Sequence, residues 1–242
     1  MTRRRADLLL VDRGLFESRA RAQAAIEAGL VTADGAPVRK AADRLAANVK
    51  LAAEAPHPWV SRGGVKLAAA LDAFGLDPAR RVCLDVGAST GGFTEVLLAR
   101  GAAKVYAVDV GRGQLHARVA ADPRVIGLEG QDARALTRAV VPEPIAFMAA
   151  DVSFISLKLI LPPLVALLAE SAGLVSLVKP QFEAGRRHLK KGVVRDEAVH
   201  LAVCGELTGF VASLGFEVLG LVPSPVLGGD GNREFLLGAR RG

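Results

Sequence analysis

The segment Leu84-Asp85-Val86-Gly87-Ala88-Ser89-Thr90-Gly91-Gly92-Phe93 places an acid and three glycines at the end of an apolar run. A strand that breaks into glycines before a helix is where a doubly wound sheet holds nucleotides, because the bare backbone lets a ligand come close. Gly87, Gly91 and Gly92 do not fall into G-x-G-x-x-G spacing, and Asp85 would repel a pyrophosphate. A carboxylate there suits a cationic ligand, and S-adenosyl-L-methionine carries both an ammonium and a sulfonium. The plain alternative is a tight turn in which Asp85 caps backbone amides.

Further charges stand at the ends of other apolar runs. Asp109 closes Lys104–Val110, where such folds grip ribose hydroxyls. Asp132 follows the next run and suits either an adenine amino group or a helix cap. Asp151 follows Ile145–Ala150, and Lys179 follows Gly173–Val178, with Pro180 keeping Lys179 out of the helical region. One such charge would only mark the solvent boundary, but several on one rim read as a site. There is no Ser-His-Asp order, no G-x-S-x-G elbow and no Pro-Cys pair for attack on a pyrimidine. Asp151 also lacks the Pro-Pro-aromatic run of amine methylation. The expected acceptor is a hydroxyl, deprotonated or oriented by a lysine. Arg186, Arg187, Lys190 and Lys191 lie just beyond, placed either to hold phosphates or as a solvated loop.

These residues need a scaffold. Seven strand-like runs, with helical patterns between most of them, predict an α/β fold with a Rossmann-like, doubly wound, mostly parallel sheet. The runs are Val82–Val86, Lys104–Val110, Val125–Leu128, Ile145–Ala150, Gly173–Val178, Glu217–Leu221 and Glu234–Leu237. Too few residues join the last two for a crossover helix, so they are expected to pair antiparallel as an edge hairpin. A helix over Gly64–Phe74 precedes them. Residues 1–58 read as a separate small α+β domain and residues 59–242 as the catalytic one, with the break at Ala55-Pro56-His57-Pro58. In the first part, a short helix ends at Gly14, Ser18 caps a second that Gly29 closes, and a hairpin turns at Ala33-Asp34-Gly35. Val49–Leu51 reads as one more strand.

Composition narrows the class. The chain has 242 residues, 51% of them hydrophobic, which is enough for a core and excludes intrinsic disorder. The least charged stretch, Leu159–Val178, contains Pro162-Pro163 and Glu170 and reads as a helix followed by a strand, not a membrane span. The apolar run after the N-terminal arginines is too short for a signal peptide. Cys83 and Cys204 form neither a disulfide framework nor a metal motif. A cytoplasmic protein without metal is expected. A net charge of +6, with Arg3, Arg4, Arg5, Arg19 and Arg21 near the start, favours a polyanionic partner.

The catalytic part resembles the FtsJ-like ribose methyltransferases. Lys66 in Ser61-Arg62-Gly63-Gly64-Val65-Lys66-Leu67, Asp151, Lys179 and Glu234 in Gly231-Asn232-Arg233-Glu234-Phe235 match that family's Lys-Asp-Lys-Glu tetrad. The first part is similar to the S-four RNA-binding domain. Together they resemble the TlyA (hemolysin-like) family of ribosomal RNA 2′-O-methyltransferases. The resemblance implies S-adenosyl-L-methionine as cofactor and cytidine ribose of 16S rRNA, 23S rRNA or both, in ribosomal subunits, as acceptor. It also implies cofactor contacts at Gly91, Gly92, Phe93, Asp109, Asp132 and Asp151, with Asp85 and Gly87 shaping the loop. The arginines of residues 1–21 and the cluster after Lys179 would bind RNA. Burial, Lys66 and the sulfonium would favour loss of the Lys179 proton, and Asp151 and Glu234 its retention, so a base and an orienting cation both stay open. The alternatives are a small-molecule or base methyltransferase, a membrane-active cytolysin and a catalytically inactive RNA-binding protein.

Overall fold

Arg3–Arg5 form a short strand, β1, that runs directly into helix α1 (Ala6–Asp12). This comes from a computed structural model that describes residues 3–242, the side chain of Arg186 excepted. Ser18 accepts a hydrogen bond from the Arg21 amide at 3.3 Å and so starts α2 (Arg19–Glu27). β2 (Val31–Ala33) and β3 (Ala36–Pro37) form a hairpin whose turn residues, Asp34 and Gly35, both take positive φ. β4 (Arg44–Ala46) pairs with β1, and β5 (Leu51–Ala53) pairs with β2. The last strand therefore begins at Leu51, later than the sequence suggests, because the Val49 amide closes a turn onto the Ala46 carbonyl at 3.1 Å. Leu10, Phe16, Ala22, Ile26 and Val31 fill the core of this unit, which extends to Pro58.

The second compact unit is Trp59–Gly242. Helix α3 (Arg62–Phe74) starts after Ser61 and ends at Gly75, whose left-handed φ of 63° stops it. Alternation follows through β6 (Val82–Val86), α4 (Gly92–Ala99), β7 (Lys104–Asp109), α5 (Ala117–Ala120) and β8 (Val125–Glu129). It continues through β9 (Ile145–Ala150), α6 (Leu157–Leu164), β10 (Leu168–Val178), α7 (Pro180–Glu183) and α8 (Glu197–Ser213), and ends with β11 (Glu217–Pro223) and β12 (Phe235–Arg241). The seven strands lie in the order β11-β12-β10-β9-β6-β7-β8. Only the pairings of β12, with β10 and with β11, are antiparallel.

Neighbouring residues of each central strand serve opposite faces, as the two-residue period of a strand requires. Cys83 and Phe147 enter one apolar cluster with Leu67, Leu71 and Leu97 from α3 and α4. Leu84 and Met148 enter the other with Leu161, Leu164 and Leu207 from α6 and α8. Both faces are thus covered, the condition under which parallel strands persist. β10 starts at Leu168, ahead of the expected Gly173, and a register shift between those residues lets it follow β9. Pro162 and Pro163 in the last turn of α6 lack the amides to extend that helix, which frees the chain to turn into β10.

Candidate active site

The strand order reverses between β6 and β9, and the loops that leave these two strands interlock. The Asp151 amide donates to the Val86 carbonyl at 2.9 Å, while Gly87 and Ala88 both donate to the Val108 carbonyl, at 2.8 and 3.0 Å. Gly87 has a φ of 84°, and a Cβ there would run into the Asp151 backbone carbonyl. Only glycine fits. The next turn is fixed by Asp109, which accepts from Ser89 N at 2.8 Å and Gly111 N at 2.7 Å.

A cavity of about 470 Å³ opens here, lined by Gly87, Asp109, Asp132, Asp151, Val152 and Ile160 among others. Acidic groups beside apolar walls suit a cationic nucleoside better than a polyphosphate. Asp132 also caps the single 3-10 turn Ala133–Ala135 and pairs with Arg134 at 2.6 Å. The Arg134 hydrogen bonds hold its carboxyl below the usual range.

Several loop residues differ from the sequence expectation. Asp85 lines neither this cavity nor the next one. Its side chain is fully buried and accepts a 2.6 Å bond from the Thr94 hydroxyl, with Oδ1 lacking a hydrogen-bond partner among the described residues. Burial pushes Asp85 up to about 7, the Thr94 hydroxyl opposes this, and the charges of Asp151 and Asp109 add to it. Gly91, at φ 92°, begins α4 against Leu115 and Val119 and also lines neither cavity. Gly92 and Phe93 face the second cavity instead of the first. An acid at a strand end can turn inward beneath the following helix, and Thr94 on α4 receives it.

The second cavity, of about 610 Å³, holds Lys66, Asp151, Lys179 and Glu234. α3 supplies Lys66. Strand register supplies the rest: Phe235 pairs with Val178, so Glu234 arrives beside Lys179. Lys66 Nζ meets Glu234 Oε2 at 2.5 Å, and Lys179 Nζ meets Asp151 Oδ1 at 2.6 Å. Lys179 aims its hydrogen bond at Ser153 Oγ, 2.8 Å away. Lys66, Lys179 and Glu234 are buried, so each cation has its own anion where water is scarce.

Sequence reasoning missed several neighbours of these groups. Ser153 and Phe154 line both cavities, as do Gly87, Ser89 and Asp151. Phe154 stands at φ 65° and is 90% exposed, its ring 5.0 Å from that of Phe182. Exposed aromatics with left-handed backbone are uncommon, and no periodicity announces one. Asn232 is buried and binds the Gly192 and Gly229 carbonyls and the Val194 amide. It thereby pins the turn formed by Lys190–Val193, where Lys191 and Gly192 take positive φ. Lys190, Lys191 and Arg187 are exposed, Arg187 donating to the His188 ring at 2.9 Å. The Arg186 side chain lies outside the described residues.

In the N-terminal unit, Asp7 is fully buried and gathers Arg5 Nε at 2.9 Å, Arg19 Nη2 at 3.1 Å and Gln23 Nε2 at 2.8 Å. Arg5 and Arg19 are therefore anchored by a carboxylate. Arg4 pairs with Asp12 at 2.7 Å, Arg3 is exposed, and Arg21 is half-buried.

The doubly wound seven-stranded sheet, with two cavities at its reversal point and two lysine–carboxylate pairs in one of them, falls among the methyltransferases by the sequence pattern it carries. The sequence pattern of FtsJ-like methyltransferases matches residues 59–241, and that of the S4 domain matches residues 4–50. The chain is 44% identical over 241 residues to the 16S/23S rRNA (cytidine-2'-O)-methyltransferase TlyA of Mycobacterium tuberculosis, covering 98% of this chain and 90% of that protein. It is 36% identical over 234 residues to Hemolysin A of Brachyspira hyodysenteriae, covering 96% and 98%. A solved hemolysin-named protein of Streptococcus thermophilus is 41% identical, covers 100% of this chain and 89% of its own, and superposes with a TM-score of 0.78. The chain belongs to the TlyA family of FtsJ-like methyltransferases. Among the described residues, no helix is long and apolar enough to cross a membrane.

Proposed function

We propose that this enzyme transfers a methyl group from S-adenosyl-L-methionine to the 2′-hydroxyl of a cytidine in ribosomal RNA, acting on ribosomal subunits in the cytoplasm. The observation that carries the reading is the seam between the two cavities. Asp151 and Ser153 line both, and Lys179 reaches both residues from the second. The first cavity suits the cofactor: Asp109 for the ribose diol, Asp132 for the adenine amino group, and Asp151 for the cationic end. When bound, S-adenosyl-L-methionine supplies an electrophilic methyl group on a sulfonium.

This chain's residues supply the rest. Lys179, held as an ammonium, orients the attacking hydroxyl, and the Asp151 carboxylate beside it takes up the proton that the hydroxyl loses as the methyl arrives. Ser153 holds the Lys179 ammonium in place, and Glu234 keeps Lys66 in the wall of the same cavity. Phe154 and Phe182 offer ring faces on which an unstacked base can lie, as single-stranded RNA recognition requires. The N-terminal arginines and the Arg187, Lys190 and Lys191 cluster supply contacts to phosphates.

The test combines labelled S-adenosyl-L-methionine, separated unmodified ribosomal subunits, the wild-type protein and Lys179→Ala. Digestion and mass spectrometry then place the label on sugar or base. The expected result is a ribose methyl, reduced about 10²–10⁴-fold in the variant while cofactor binding persists. A methyl on a base, or a fully active variant, overturns the proposal.

A further inference from the structure

Two acids stand side by side at the rim of the first cavity, and only one of them lines it. Strand register pairs Asp109, the last residue of β7, with Glu129, the last residue of β8. Asp109 lines the cavity and accepts from Ser89 N and Gly111 N. Glu129 lines neither cavity. Its carboxylate instead gathers three successive amides of the loop between β7 and α5. Gly113 N donates to Oε2 at 2.9 Å, and Gln114 N and Leu115 N donate to Oε1 at 2.8 and 3.1 Å.

Successive amides aimed at one point form a concave anion site, and here the chain fills it with its own side chain. Gly113 supplies the positive φ, 65°, that the turn requires. Among the described residues, no backbone carbonyl takes any of these three amides. The amide hydrogen bonds, led by that of Gly113, outweigh burial and hold the Glu129 carboxyl below the usual range. It is therefore charged at neutral pH, the form in which such bonds are strongest.

The loop so anchored carries part of the first cavity. Val110 and Gln114 line that cavity and not the second. Gln114 Oε1 lies 3.1 Å from Ser89 Oγ, and Leu115 covers Gly91, where a Cβ would come within 2.8 Å of the leucine Cδ1. The loop thus leans on the glycine turn after β6, and Glu129 ties its backbone to β8. We infer that Glu129 is a positioning residue for the cofactor, fixing the wall formed by Val110 and Gln114 without touching what binds there. This rests on the proposed function, under which S-adenosyl-L-methionine occupies the first cavity.

The consequence is selective. Without the carboxylate the three amides turn to water, and the loop loses its fixed place against Ser89 and Gly91. Order must then be restored whenever the cofactor enters, which weakens its affinity. The cavity of the lysine–carboxylate pairs borrows neither Val110 nor Gln114, so transfer from bound cofactor and affinity for RNA are preserved.

The experiment compares full-length wild type, Glu129→Ala and Glu129→Gln, by calorimetry with S-adenosyl-L-methionine and by steady-state methylation of separated ribosomal subunits. Glu129→Ala is expected to weaken cofactor affinity about tenfold and to raise the KM for S-adenosyl-L-methionine by the same factor. Its kcat at saturating cofactor and its KM for subunits stay within about twofold of wild type, the split that marks lost binding and not lost chemistry. Glu129→Gln keeps one acceptor of the two and falls between. If the Ala variant does not fold, the Gln variant carries the test, with affinity weakened about threefold. Wild-type affinity in the folded variant, or a fall in kcat as large as the rise in KM, overturns this inference and leaves the methyltransferase reading intact. Failure of the wild type itself to bind S-adenosyl-L-methionine overturns both.

Discussion

Glu234 and Lys66 meet at 2.5 Å although 168 positions separate them in the chain. The contact ties the start of β12 to α3, and both side chains are nearly withdrawn from water. Glu234→Ala leaves a buried ammonium unpaired and is expected to cost about 3–5 kcal/mol. Lys66→Met combined with Glu234→Leu restores most of that stability without restoring methyl transfer. Urea unfolding alongside the labelled-methyl assay separates the two effects. A double variant as unstable as the single one would remove the ion pair from the explanation.

Gly87→Ala forces a Cβ toward the Asp151 carbonyl at a left-handed φ. Either the β6 loop or Asp151 must move, and both border the two cavities. We expect a loss of about 1–3 kcal/mol in stability, the scale of such backbone strain. Calorimetry should show a cofactor affinity weakened tenfold or more. Unchanged affinity would mean that the loop can shift without disturbing cofactor binding.

Asp85 gives the stability a pH dependence of determinate sign. Its ordinary value is near 3.9, and burial in the folded state pushes it up to about 7. Between those values the folded protein keeps a proton that the unfolded chain has released, so this group's contribution falls as pH rises from about 4 through 7. Asp85→Asn does not titrate. The melting temperature of wild type should therefore drop relative to Asp85→Asn across that interval and then run parallel above it. A constant gap would show that Asp85 ionises alike in both states.

Asp7 acts in the opposite sense. The Arg5 hydrogen bond, with Gln23 and Arg19, outweighs burial and holds this carboxyl well below the usual range. Its contribution is present above about pH 4 and is lost as the solution becomes more acidic. Asp7→Asn should lower the protection of α1 and α2 amides by about 1.5–3 kcal/mol at neutral pH. The difference from wild type should shrink at low pH. Hydrogen exchange on the full chain reads it directly, and a difference that grows on acidification would reverse the assignment.

Periodicity located β6 to β9 within a residue or so, and the end but not the start of β10, because buried parallel strands are continuous apolar runs with glycines, acids or a lysine at their ends. β1 escaped notice because Arg3–Arg5 has no apolar alternation and pairs only with the distant β4. The order β11-β12-β10 was equally hidden: a hairpin signal says that two strands pair, not which of them faces inward. At the site, Asp109, Asp151 and Lys179 were legible from their positions at strand ends. Lys66 and Glu234 came only from the family resemblance, since a lysine within an apolar helix carries no local signal. Asp85 was read as facing a ligand when Thr94, nine positions on, turns it inward. Phe154 was invisible for a different reason: a left-handed backbone angle leaves no trace in residue order.

β12 is synthesised after every strand it joins, yet its place is inside the sheet, between β10 and β11. Until Phe235–Arg241 has slotted in, β11 has nothing to pair with, and Lys66 waits for its carboxylate. The residues of the first cavity, Val86 to Ile160, all precede β10 in the chain, whereas the lysine–carboxylate pairs also need Lys179 and Glu234. The Lys66–Glu234 pair can therefore close only when the strand that comes last in the chain has entered the interior of the sheet.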